Sequence, residues 1–249
     1  NIGEKKMKIT KNMDKALRLM NNLQKETVLT QWKKHGKENS EVDFDVSGEG
    51  DILKNFALIK GVWNPFLASG RYHARYLFYH SDLFYGKDVI EIGVGSGIMS
   101  VVMAKYGAKN ITASDVSSFA VENTKINAEK YGLKNIKVVK GNLFENVKEK
   151  ADLITWMIPF FAGYPEEEDT IGKSMIMPPE LFERFLEEAK NYLKSNGVVL
   201  IPSFSLGGDL TDPRKVAKNL GYKVTTPWTH SSINGIQQGA IYMHELRLE

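Results

Sequence analysis

Asp88-Val89-Ile90-Glu91-Ile92-Gly93-Val94-Gly95-Ser96-Gly97 is the stretch on which the reading of the fold turns. A short apolar run passes directly into three alternating glycines, and Ile98 to Tyr106 follows with the composition of a helix. Such a run suits a strand buried on both faces. Glycine tolerates positive φ and lets a ligand come close to the backbone, while the unpaired N–H groups at the start of the next helix attract a carboxylate or phosphate. Asp115 stands twenty-two residues beyond Gly93 at the end of the next apolar run. A carboxylate so placed can accept both hydroxyls of a ribose. Turn and carboxylate together read as a nucleoside site.

Outward from that turn, short apolar runs alternate with amphipathic segments, the pattern of a parallel sheet with crossover helices. Strands are expected at Asp88–Ile92, Asn110–Ala113, Ile136–Val139, Asp152–Met157 and Val198–Ser203, and helices at Ile98–Tyr106, Ser118–Tyr131 and Glu180–Leu193, the last stopped near Gly197. Tyr222–Thr226 and Ala240–Leu248 complete seven strands. With no room for a helix between those two, the final pair is expected to be antiparallel. The expected fold class is α/β: a doubly wound, mostly parallel seven-stranded sheet with an antiparallel last strand, preceded by a mainly helical N-terminal cap. Residues 1–85 are read as that cap and substrate-covering segment, and 86–249 as the nucleoside-binding domain.

The N-terminal segment is basic: residues 1–38 hold ten Lys or Arg against four Asp or Glu, and an acidic stretch from Glu41 to Asp51 follows. Because Met13, Ala16, Leu17, Met20, Leu23 and Leu29 recur near helical spacing, residues 10–35 read as one helix with a solvated basic face. Hydrophobic residues make up 42% and charged residues 25% of the chain, typical of globular proteins. There is no cysteine, which excludes disulfides, thiolate catalysis and thiolate zinc sites. Neither a membrane span nor a secretion signal is visible, and the expected location is cytoplasmic.

Spacing separates the kinds of nucleoside. A dinucleotide turn wants glycine at the first, third and sixth places, and the sixth place here is Ile98. The glycines fall at the first, third and fifth. With Ala104-Lys-Tyr-Gly-Ala-Lys-Asn, Ser114-Asp-Val-Ser, Ala120-Val-Glu-Asn and Gly141-Asn-Leu-Phe-Glu, the segment from about 86 to 205 resembles class I S-adenosylmethionine (SAM) dependent methyltransferases, most of all the ribosomal-protein and small-domain methyltransferases. The resemblance implies a Rossmann-like methyltransferase fold, SAM as cofactor and S-adenosylhomocysteine (SAH) as product. It places Gly93, Gly95 and Gly97 around the methionine portion, Glu91 near its ammonium, Asp115 on the ribose and Val116 on the adenine, with Leu143 and Trp156 completing the cofactor wall. Asn142 stands where the family usually has an Asp receiving the adenine amino group, and its amide oxygen can still accept.

At the acceptor position, relatives acting on amide or ring nitrogens carry Asn-Pro-Pro-Tyr, whereas this chain has Met157-Ile158-Pro159-Phe160. A thioether cannot orient a substrate N–H as an Asn side chain does, and Phe160 lacks the tyrosine hydroxyl. Backbone acceptance and the faces of Trp156 and Phe160 remain. Met157, Pro159 and Phe160, with Arg71 and Tyr72 from the segment leading into the sheet, are the candidate substrate contacts, and His73 is the candidate general base ahead of His80 and His230. The loop Phe161–Pro179, with the acidic run Glu166–Asp169, reads as a lid suited to a cationic substrate or a basic protein tail. Arginine methyltransferases need paired glutamates that 154–165 lacks, and no metal site is expected. The reading favours a small-molecule acceptor methylated on nitrogen or oxygen, with a ribosomal-type protein or RNA as the alternative. A nicotinamide oxidoreductase or a non-catalytic SAM-fold module are the readings outside the class.

Overall fold

A computed structural model describes residues 15–67, 69–231 and 239–249. Residues 10–14 of the expected first helix lie outside that set. Within it the helix is not continuous. The Asn21 side chain accepts from the Gln24 N–H, and the Gln24 side chain accepts from the Asn21 N–H, so a capping box starts a new helix, α1, at Asn22–Trp32. The middle of the N-terminal segment is not helical. Ser40–Asp45 (β1) and Ile52–Leu58 (β2) pair as an antiparallel hairpin. Its turn is held by the Asp45 carboxylate, which accepts from the N–H groups of Gly48 and Gly50. Gly70–Tyr79 (α2) then leads into the sheet.

The sheet is built from Asp88–Ile92 (β3), Asn110–Asp115 (β4), Ile136–Lys140 (β5), Ala151–Trp156 (β6), Leu193–Phe204 (β9), Tyr222–His230 (β10) and Ile241–Leu248 (β11), in the order β10-β11-β9-β6-β3-β4-β5. The crossover helices include Ile98–Lys105 (α3), Ser118–Lys130 (α4) and Pro179–Tyr192 (α5). Every neighbouring pair is parallel except those made by β11, which runs against both β9 and β10. This is the expected seven-stranded doubly wound sheet with its last strand reversed. After β5 the chain returns to the other side of β3 to form β6, so the direction of winding changes between β3 and β6. The crevice beyond the carboxyl ends of those two strands is where such sheets bind ligands.

Two differences bear on the site. The helix before β9 ends at Tyr192, and the strand begins at once with Leu193, whose side chain is buried and whose backbone pairs with Ala151. Gly197 is therefore inside a strand, where an added Cβ would meet the Lys194 carbonyl at 3.0 Å. The 161–179 segment is also folded. Phe161–Ala162 (β7) pairs in parallel with Ile176–Met177 (β8), a helical turn at Thr170–Lys173 lies between them, and Phe161, Ile171, Met175 and Ile176 share a core cluster with Ala16, Leu17, Met20 and Val28.

The hairpin is joined to the sheet by two buried asparagines on α4. Asn127 accepts from the Ala57 N–H at 2.9 Å and donates to the carbonyls of Ala57 and Ser96. Asn123 accepts from the Ile59 N–H and donates to the Ala57 carbonyl. Phe44, Val46, Leu53 and Phe56 of the hairpin share one core with Val89, Val101 and Leu153. Buried backbone groups stripped of partners cost about 1–3 kcal/mol each. Asn127→Ala is therefore expected to lower unfolding stability by about 2–3 kcal/mol in urea titrations. A loss below about 0.5 kcal/mol would contradict this account of the attachment.

Candidate active site

The turn after β3 brings its three glycines to positive φ, +62° at Gly93, +56° at Gly95 and +85° at Gly97. At Gly93 the requirement is steric as well, since a Cβ there would lie 2.5 Å from Nε1 of Trp156 at the end of β6. Gly97 caps α3, and an added Cβ would press on Thr124 of α4 at 3.0 Å. Thr124 donates to the Gly95 carbonyl and Asn127 to the Ser96 carbonyl, so α4 holds the turn from behind.

Asp115 ends β4 beside this turn. One carboxylate oxygen accepts from the Gly95 N–H at 2.9 Å and the other from the Ser117 N–H at 2.8 Å. Each oxygen retains a further lone pair, which is the arrangement a vicinal diol needs. Burial raises the Asp115 pKa above the ordinary range, with the N–H groups of Gly95, Ser117 and Val116 acting against it. Glu91 lies one strand away at the floor of the crevice, 2% exposed, with Ser100 of α3 donating to its carboxylate. Burial pushes its pKa up to about 8. A buried carboxyl whose pKa is raised in this way is placed to ionise against an incoming ammonium group.

These groups face a cavity of ≈ 1260 Å³. Glu91, Gly93, Gly95, Asp115, Val116, Asn142, Leu143 and Trp156 line it, and so do Arg71, Met157, Pro159 and Phe160. Gly97 does not reach the wall, because its place is behind the turn. Tyr72 is also absent from the wall. Its ring is buried and lies 4.3 Å from that of His230. His73 is the clearest departure from expectation. On α2 it points away from the cavity into the sheet, fully buried, with Nε2 3.2 Å from the Thr155 hydroxyl. Burial lowers its pKa to about 3. An imidazole so enclosed has no path to a substrate proton, and neither His80 nor His230 lines the cavity.

Sequence reading missed the roof and one side wall. Thr27 and Gln31 of α1, Lys34 just past its end, and Trp63 line the cavity. The helix is fixed there by Gln24, which donates to the Leu206 carbonyl at 2.7 Å, by Trp32, which donates to Asp169 at 3.1 Å, and by His35, stacked on Trp63 at 3.4 Å. The side wall includes Arg184 of α5, whose guanidinium donates to Oδ1 of Asn142 at 2.6 Å and pairs with Glu188. No local motif announces a contact across forty-two residues. Next to it Leu143 adopts φ +55°, and its carbonyl accepts from the Ser114 hydroxyl.

A doubly wound sheet with a reversed last strand, a glycine turn and a ribose-type carboxylate defines a class I SAM-dependent methyltransferase. More closely, the chain belongs to the methyltransferase small domain family, whose model matches residues 75–206. It is 40% identical over 146 residues, 55% of this chain and 72% of the relative, to a Methanocaldococcus jannaschii protein provisionally named a protein N5-glutamine methyltransferase. It is 34% identical over 112 residues to the ribosomal protein L11 methyltransferase of a Thermoanaerobacter species, covering 45% of this chain but 30% of that one. The chain thus spans about a third of that longer relative. Among solved structures it is similar in fold to SMU.776, provisionally named a methyltransferase and complexed with SAH, with TM-score 0.54, 15% identity, and coverage of 78% of this chain and 52% of that one. SAM is the methyl donor and SAH the product. The two sequence relatives are named for protein acceptors, which favours the alternative acceptor over the small molecule expected from the sequence. No helix among the described residues is long and apolar enough to cross a membrane.

The Glu91 pKa fixes a pH dependence. A carboxyl raised from 4.5 to about 8 binds more protons folded than unfolded between those values, so its contribution favours folding at low pH and is lost as pH rises through the folded pKa. The ligand-free protein is expected to show a melting temperature that declines between pH 5 and 8, with Glu91→Gln flattening the decline. Parallel profiles for the two proteins would show Glu91 to be ionised throughout.

Proposed function

We propose that this chain transfers the methyl group of SAM to a side-chain nitrogen of a protein whose basic segment enters past the 161–179 lid. The observation that carries this reading is the make-up of the cavity beyond the nucleoside end. Met157, Ile158, Pro159 and Phe160 form an apolar wall there, and the exposed carboxylates of Glu26, Glu167, Glu168 and Glu180 border the cavity. Lys34, Lys173 and Arg184 also line it, so the border is mixed in charge, with Glu167 and Glu168 of the lid as adjacent exposed carboxylates. The names of the two sequence relatives, one for glutamine in protein and one for ribosomal protein L11, point the same way.

SAM supplies a methyl group on a sulfonium that is already a good leaving group. The chain's own contribution is placement and exclusion of water. Glu91 and the glycine turn hold the amino-acid end, Asp115 holds the ribose, and Val116 and Leu143 flank the base. The Met157–Phe160 wall strips water from the acceptor nitrogen, and desolvation of an amine favours its neutral, nucleophilic form. With no histidine on the wall among the described residues, the proton released from the methylated nitrogen passes to solvent at the cavity border, while backbone carbonyls of that segment can only orient the N–H by accepting a hydrogen bond.

Incubation with isotopically labelled SAM, a ribosome fraction and a panel of small amines distinguishes the acceptors. Label is expected in protein, resistant to ribonuclease, on a side-chain nitrogen identified by mass spectrometry. Replacing Glu167 and Glu168 with Lys is expected to cut labelling about tenfold with SAM affinity retained. Label confined to RNA or to the small amines would overturn the protein reading.

A further inference from the structure

The contact between Arg184 and Asn142 has a consequence for cofactor binding. Asn142 offers one amide oxygen as its only side-chain acceptor, and one of its two lone pairs is taken by the Arg184 guanidinium at 2.6 Å, whose positive charge draws density from the other and opposes the approach of a second donor. Both side chains line the cavity, and both are exposed enough to move. Asn142 is fixed from its backbone side, where its N–H donates to Glu145 at 3.1 Å and Leu143 follows in a left-handed conformation anchored to Ser114. The backbone therefore holds still while the side chain has two claimants, the guanidinium of α5 and a ligand donor at the base end of the cavity.

We propose that Arg184 is a specificity-determining gate on the base end of the SAM site, competing with the adenine amino group for Oδ1 of Asn142. The proposal rests on the placement of adenine against Val116, Asn142 and Leu143. When Arg184 holds the oxygen, the site offers the adenine amino group a weakened acceptor. When Arg184 swings to Glu188, with which its Nε already pairs at 3.2 Å, the acceptor is released. An amide suits this exchange better than a carboxylate. Asp at position 142 would present two charged oxygens to a planar guanidinium and hold it more firmly, in an ion pair weakened by salt. The presence of Asn rather than Asp at this position thus has a physical partner in Arg184.

Isothermal titration with SAM and with neutral SAH, on the full chain, tests the gate. Arg184→Ala is expected to tighten both ligands about threefold, the worth of one exposed hydrogen bond. In an Asn142→Asp background the same substitution should tighten them more, and the excess should shrink at high salt. In an Asn142→Ala background it should have no effect, which separates competition for the oxygen from general repulsion of a cationic ligand or from a change in the stability of α5. Weaker binding or no change in Arg184→Ala, or an undiminished effect without Asn142, would overturn the gate. Asp115→Ala is run alongside. Its binding unchanged from wild type would remove the underlying placement of the nucleoside, a failure distinct from that of the gate.

Discussion

A side chain at position 93 has no space: the indole of Trp156 stands 2.5 Å from where its Cβ would be, and the backbone there is left-handed. This close approach of the β3 turn to the end of β6 is the constraint from which the site follows. It forces glycine, sets the turn at the switch point of the sheet, and brings the Gly95 N–H to Asp115 at 2.9 Å. Thr124 and Asn127 of α4 then hold the turn's carbonyls, so its conformation is set on three sides before any ligand arrives. Preorganisation of this kind reduces the ordering cost that binding would otherwise carry.

The same helix links the turn to the N-terminal segment. Asn127 bonds both to Ser96 in the turn and to Ala57 in the hairpin, so the turn and the hairpin share one buried polar cluster. Above it, α1 is fastened to the 206–207 loop through Gln24 and to the 161–179 segment through Trp32 and Asp169. The N-terminal helix thereby packs on the 161–177 segment, with Val28, Phe161 and Ile176 in one hydrophobic cluster.

What could be read in the sequence, and what could not, divides along contact range. The seven strands, the reversed last strand and the glycine turn follow from local patterns, since each apolar run is short, bounded and followed by a helix or turn signal. The capping box at Asn21 and Gln24 was also local, yet the apolar spacing across it suggested one unbroken helix. The hairpin at 40–58 was missed because its stability comes from Asn123 and Asn127, some seventy residues away. His73 drew attention by its neighbours in sequence, but helical periodicity turns it into the core while Arg71 reaches the cavity. Arg184 had no sequence signal at all, because an exposed Arg on an amphipathic helix is ordinary until the fold sets Asn142 against it.

Calorimetric titration of SAM and SAH against wild type and Asp115→Ala, with NAD as control, tests most directly whether the Gly93–Gly97 turn and Asp115 form the SAM site. Two charge-assisted hydrogen bonds to the ribose correspond to a loss of about a hundredfold in affinity for the variant, with folding retained and NAD bound by neither protein. Equal SAM affinity in both proteins, or binding of NAD in preference to SAM, would contradict the account.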